Sequence, residues 1–246
     1  MKIIASKYIR SRLVLFVALV SILSIIFGGS FLWNIFSVSD ASNSIPKYNT
    51  VIIDAGHGGI DGGTSSHDGT LEKDLNLQIA IKVKEFLGSM GVNTVMTRTK
   101  DISIHDDSAK TIREKKVSDI RNRLAIMDET ENSIFISIHQ NHFSQEKYHG
   151  TQVFYSINNP DSILLADSVR QSVISVLQND NSREIKQSGS EIYLLYHAQI
   201  PTIMVECGFL SNIDETEKLK DDDYQNQLAF LISLGIMDFL NTTEAD

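Results

Sequence analysis

The chain has 246 residues, 42% hydrophobic and 22% charged. That is room for one α/β domain with a full core, and a second domain of normal size is excluded once the apolar N-terminus is set aside. The formal net charge is −9, and removing Lys2, Lys7, Arg10, Arg12 and Asp40, all N-terminal, takes it to −12 for the remainder. Such a domain repels phosphate backbones and has no basic stripe, so nucleic acid is excluded as a partner. With one cysteine, Cys207, no internal disulfide can form.

Leu13–Ser39 carries no charge and follows four positive residues. At about 1.5 Å per residue it is long enough to cross a hydrocarbon core of about 30 Å. The preceding cations predict a cytoplasmic N-terminus and a domain outside. Residues 1–38 are read as a signal-anchor, an apolar helix that tethers the chain to the membrane. A cleavable signal peptide with a weak site at Ser39-Asp40-Ala41 is the competing reading. Residues 39–49, polar with one proline, read as a linker, and 50–241 as a single domain.

Thr50–Ile53 predicts a strand leading into the glycine loop Asp54-Ala55-Gly56-His57-Gly58-Gly59. Leu71–Met90 shows a helical stripe at 75, 79, 83, 86, 87 and 90, with Gly91 suited to its C-terminal cap. Val92–Thr97 predicts a strand. Val117, Ile120, Leu124 and Met127 mark a second helix. Ser133–Ile138 reads as a buried strand, and Thr151–Ser156 as another. Asn159-Pro160 opens a helix with the stripe Leu165, Val169, Val173 and Val176. Ile192–Leu195 and Thr202–Val205 read as two further strands, and Tyr224, Leu228, Leu231 and Ile232 as the last helix. Alternating strands and helices predict a three-layer α/β domain, a largely parallel twisted sheet with helices on both faces. In such sheets, sites form beyond the carboxyl ends of strands.

Four groups able to bind metal or move protons fall at such places: His57 after the first strand, Glu72 in the first turn of a helix, His139 after Ser133–Ile138, and Glu206 after Thr202–Val205. Two imidazoles and one carboxylate make a common zinc set that leaves a position for water. A remaining carboxylate can then take a proton from water and pass it to a leaving nitrogen, as amide hydrolysis requires. Singly, each has a blander reading: a dipole complement for Glu72, a turn residue for His57, a core histidine for His139. Glu206 is harder to dismiss, because a carboxylate directly after Ile203–Val205 is costly to bury unpaired. The glycine loop does not fit a dinucleotide fingerprint, since Asp61 stands where the third glycine belongs.

The strings Ile53-Asp54-Ala55-Gly56-His57-Gly58-Gly59, Leu71-Glu72-Lys73, Ser137-Ile138-His139-Gln140-Asn141 and Val205-Glu206-Cys207-Gly208-Phe209-Leu210-Ser211-Asn212 resemble the N-acetylmuramoyl-L-alanine amidase family Amidase_3. They occur in the family's order between about Thr50 and Leu240. The resemblance implies Zn2+ held by His57, Glu72 and His139, with Glu206 catalytic, in an enzyme cutting the amide between N-acetylmuramic acid and L-alanine in peptidoglycan. The overall layout is similar to the short, membrane-linked CwlD type of spore formers, which implies a spore-cortex role on the route to muramic-δ-lactam. It also implies a location between forespore and mother-cell membranes. Implied partners are glycan strands and stem peptides, with an activating protein left open. Another zinc peptidase or carboxypeptidase, and a non-catalytic wall-binding domain, are the alternatives. Ala55, His142 and Tyr196 depart from the residues the family often carries there. Asn141 and His142 are candidates for orienting the site or contacting substrate. His67, His105, His149 and His197 match no ligand motif.

Overall fold

The computed structural model describes residues 47–243. The segment read as a signal-anchor, and most of that read as a linker, lie outside the described residues. The last linker residues are packed: the Tyr48 ring stacks on Phe239 at 5.9 Å, and its hydroxyl donates to Asp161 at 2.6 Å.

Six strands form one sheet: β1 (Thr50–Ala55), β2 (Asn93–Met96), β3 (Ser133–Asn141), β4 (Gln152–Tyr155), β5 (Lys186–Gln187) and β6 (Thr202–Phe209). Their order is β2-β1-β3-β6-β4-β5. β2, β1, β3 and β6 run parallel, while β4 pairs antiparallel with β6 and parallel with β5. The helices are α1 (Glu72–Ser89), α2 (Ile112–Glu129), α3 (Asp161–Val176), α4 (Tyr193–His197), α5 (Ile213–Lys220) and α6 (Asp222–Thr242). Strand alternation divides them between two faces. Val51, Ile53, Ile134, Ile136, Ile138, Ile203 and Val205 pack under the stripes of α1, α3 and α6. Ile52, Phe135 and Met204 point the other way, against α2 and α4. The three layers expected from the sequence are therefore present.

Three local expectations fail, each for a physical reason. Ile192–Leu195 is not a strand: the chain turns into α4, where Tyr196 N–H donates to Ile192 O at 2.9 Å. A four-residue apolar run does not distinguish strand from helix, and here adjacent Leu194 and Leu195 are both buried in the α2 layer. β3 and β6 continue past their apolar runs through Asn141 and Phe209, so His139 and Glu206 stand inside strands rather than after them. Val117 and Val176, placed on the α2 and α3 stripes, are 40% and 67% exposed, while Arg123 occupies the buried side of α2. Two elements were not anticipated. α5 is capped by the Asn212 side chain, which accepts from Glu215 N–H at 3.0 Å. β5 is two polar residues that carry no sequence signal.

Arg123 pairs with Asp54, 1% exposed, on the α2 face of β1. Asp54 also accepts from Ser137 Oγ at 2.6 Å and Thr97 Oγ1 at 2.7 Å. Burial opposes ionisation of Asp54, but the Arg123 charge and these hydroxyls outweigh it and hold the carboxyl below its ordinary range. Arg123→Met should leave Asp54 buried and unpaired, a loss of about 3–5 kcal/mol in urea unfolding; a loss near zero would contradict this. Because Asp54 titrates lower when folded, its stabilisation holds above about pH 4 and disappears as acid protonates the folded carboxyl.

Candidate active site

The site lies at the carboxyl ends of the central strands. His57 sits in the loop after β1 with φ of 62°, a left-handed conformation costly for a side-chain-bearing residue. Two buried arginines fix that loop through its carbonyls. Arg123 donates to Ala55 O at 2.9 Å and His57 O at 2.7 Å. Arg98 donates to Ala55 O at 2.8 Å and Gly56 O at 3.0 Å. Gly56 is required sterically, because a β-carbon there would overlap the His139 imidazole.

Glu72 enters from the first turn of α1, on the other layer, and is 4% exposed. Its Oε1 stands 2.9 Å from His139 Nδ1 and 3.3 Å from His57 Nε2. Backbone donors hold the carboxylate in place, Thr64 N–H at 2.9 Å and Gln140 N–H at 3.2 Å, with Asn76 Nδ2 at 3.3 Å. Burial disfavours the Glu72 charge, yet the two imidazoles outweigh it and keep the carboxyl far below its usual range. The ligand atoms of His57, Glu72 and His139 lie within 4.8 Å of one another. Asp61 Oδ2, 3.0 Å from His57 Nδ1, draws the ring proton to that nitrogen and leaves Nε2 free for a cation. Lys116 in turn pairs with Asp61 at 2.7 Å. Sequence reasoning missed Asp61, Arg98 and Arg123; only the carboxylate four residues after His57, on a glycine loop, offered a signal.

Glu206 lies directly opposite His139 in the β3–β6 register. Both side chains line a cleft of about 660 Å³ with His57, Asp61, Asn141 and Arg123. Its other wall is apolar, from Ile120, Phe154, Ile192 and Met204. The buried Glu206 Oε2 has no hydrogen-bond partner among the described residues. Burial pushes this carboxyl up to about 7. The β3–β6 register shifts between His139 and Asn141, a bulge beside the site. Asn141 lines the cleft, whereas His142 is exposed on the following loop and lines no part of it. His67, His105, His149 and His197 lie outside the metal-competent group. Cys207 faces the opposite layer, fully buried, where burial raises its thiol above the ordinary range; it is no nucleophile.

The sequence profile of the N-acetylmuramoyl-L-alanine amidase family, Amidase_3, matches residues 51–238. The germination-specific N-acetylmuramoyl-L-alanine amidase of Bacillus subtilis is 32% identical over 195 residues, 79% of this chain and 81% of that protein. The CwlD amidase of Clostridioides difficile, solved in complex with the GerS lipoprotein, superposes with a TM-score of 0.76 at 40% identity, covering 79% of this chain and 99% of that one. A further N-acetylmuramoyl-L-alanine amidase, from Clostridium difficile 630, gives a TM-score of 0.69 at 31% identity over 80% of this chain and 98% of that one.

Without a bound cation, titration of these groups would set a pH dependence. For His57, burial opposes the charge, but Asp61 and Glu72 outweigh it and raise the imidazole to about 9. Its stabilising charge is complete below about pH 6.5 and is lost as pH rises through 9. The raised Glu206 carboxyl works in the same sense, favouring the fold below about pH 4.3 and losing that contribution as pH rises through 7. The melting temperature of chelator-treated protein should therefore fall between pH 6 and 9 by roughly several degrees. A divalent cation should flatten or reverse that slope, because it binds the deprotonated ligands. A rising metal-free curve would contradict these assignments.

Proposed function

This chain belongs to the N-acetylmuramoyl-L-alanine amidase family, and on that footing we propose that it is a zinc-dependent enzyme hydrolysing the amide between the lactyl carboxyl of N-acetylmuramic acid and L-alanine in peptidoglycan. The observation that carries this reading is the convergence of His57, Glu72 and His139 at a cleft that His57 and His139 line together with Glu206, whose buried Oε2 has no hydrogen-bond partner among the described residues. The donor set fits the metal: two imidazole nitrogens and one carboxylate, with the His57 tautomer fixed from behind by Asp61. A zinc ion held by His57, Glu72 and His139 would supply Lewis-acid polarisation of the scissile carbonyl and lower the pKa of water there.

The protein's own groups do the rest. Glu206, with a carboxyl near neutrality, takes a proton from the attacking water. It returns that proton to the alanine nitrogen, so the C–N bond breaks with a neutral amine as leaving group. Asn141 lines the cleft next to these groups and is assigned to substrate positioning. His142, exposed on its loop, receives no role.

The likeness to a germination-specific amidase and to a CwlD amidase supports a spore-cortex substrate and action outside the cytoplasm. The neighbour solved in complex with a lipoprotein supports a partner protein for this chain. Membrane tethering through residues 1–38 belongs to the same proposal. Among the described residues no helix is long and apolar enough to cross a membrane.

Glu206→Gln should keep one zinc per chain and lose activity by roughly 10²–10⁴-fold, read by mass spectrometry of peptide released from isolated cortex. Wild-type rates in that variant would sink the mechanism. Chelation should abolish release and added zinc restore it. A cut that frees any amine other than that of L-alanine would point to peptidase chemistry instead.

A further inference from the structure

Strand register extends the site away from the metal-competent residues. His139 stands opposite Glu206, Glu206 opposite Gln152 on β4, and Phe154, on the same face of β4 as Gln152, opposite Lys186 on the edge strand β5. Residues directly opposite share a face of the sheet, so one row of side chains runs from the cleft to the sheet edge. Three strand spacings of about 4.8 Å, with the two-residue step along β4 from Gln152 to Phe154, make that distance roughly 16 Å.

At the end of the row lies a hollow of about 250 Å³ lined by Phe143, Tyr148, Arg183 and Lys186, which shares Asn141 and Phe154 with the larger cleft. The Arg183 guanidinium lies 4.6 Å from the Phe209 ring and 5.6 Å from that of Tyr148. Its Nε donates to His149 O at 2.9 Å. Among the described residues its two terminal nitrogens make no hydrogen bond, and neither Arg183 nor Lys186 has a carboxylate partner. Gln152, 2% exposed, also lines this hollow; it donates to Glu184 O at 2.6 Å and leaves Oε1 without a donor. A rigid cation, a flexible cation and an orphaned acceptor thus meet at the cleft's open end in a chain of net charge −9.

The geometry points to a subsite for the carboxylate-bearing peptide on the leaving side of the cut. This rests on the amidase reading. N-acetylated sugars whose lactyl carboxyl is tied up in the scissile amide are uncharged, so the anions of such a substrate sit on its peptide. An extended peptide advances about 3.4 Å per residue, so roughly five residues bridge from His139 to Lys186. Planar Arg183 suits bidentate carboxylate recognition, and the Gln152 oxygen suits a peptide N–H.

The test is calorimetric and needs no turnover. The full chain, purified in detergent, is titrated with a synthetic stem tetrapeptide bearing free carboxylates and with its carboxamide counterpart. The acidic peptide should bind roughly tenfold more tightly, with affinity falling as salt rises. The double variant R183Q/K186Q should lose that tenfold preference. Lys186→Gln alone, an exposed side chain on a two-residue strand, should lose about threefold and guards against misfolding of the double variant. Equal affinity for both peptides, or variants that bind like wild type, would overturn the subsite. Preferential binding of the acidic peptide by a zinc-loaded wild-type protein that releases no peptide from peptidoglycan, alone or with a partner lipoprotein added, would overturn the amidase reading and leave the subsite standing.

Discussion

A single carboxylate oxygen, Glu72 Oε1, faces both imidazoles, and the three side chains reach it from three different elements. His139 comes from the middle strand of the sheet, His57 from the loop after its neighbour, and Glu72 from a helix on the opposite layer. The convergence holds only if sheet, loop and helix keep fixed relative positions. The rest of the molecule supplies that rigidity. The Ile- and Val-rich strands lock α1 to one face. The Asp54–Arg123 pair ties α2 to the other, and Arg98 and Arg123 hold the loop by its carbonyls. Electrostatics at the centre and packing at the periphery are thus one constraint.

The two glutamates show how environment divides roles between like groups. Glu72 is buried among donors and imidazoles and stays ionised. Glu206 is half-buried, with an Oε2 that is buried and unpartnered among the described residues, and its carboxyl rises toward neutrality. One suits an ion and the other suits a moving proton, and neighbouring atoms alone make the difference.

The layers are legible in the sequence because strands and helices that bury one face write that burial as periodicity. The candidate site is legible for a related reason: His139 and Glu206 follow apolar runs, Glu72 opens a helix and His57 follows a strand on a glycine loop, places where an ionisable group is conspicuous. The residues that escape notice act through backbone atoms or at long range. Arg98 and Arg123 contact carbonyls, which no side-chain pattern records, and Arg123 reaches Asp54 across 69 residues of sequence. α4 escapes because four apolar residues fit either structure. β5 escapes because an edge strand of Lys and Gln looks like any polar loop.

Strand alternation has a consequence for how this architecture tolerates change. On β6, Met204 and Glu206 face the cleft layer, whereas Val205 and Cys207 face the opposite one. Deleting or inserting one residue between Thr202 and Glu206 would not merely displace the carboxylate; it would exchange the two sides of the strand. A thiol would look into the cleft, and a carboxylate would be driven into a layer of aliphatic side chains. A change of length is therefore borne more easily by the connections between strands than by the stretch of β6 that leads to Glu206.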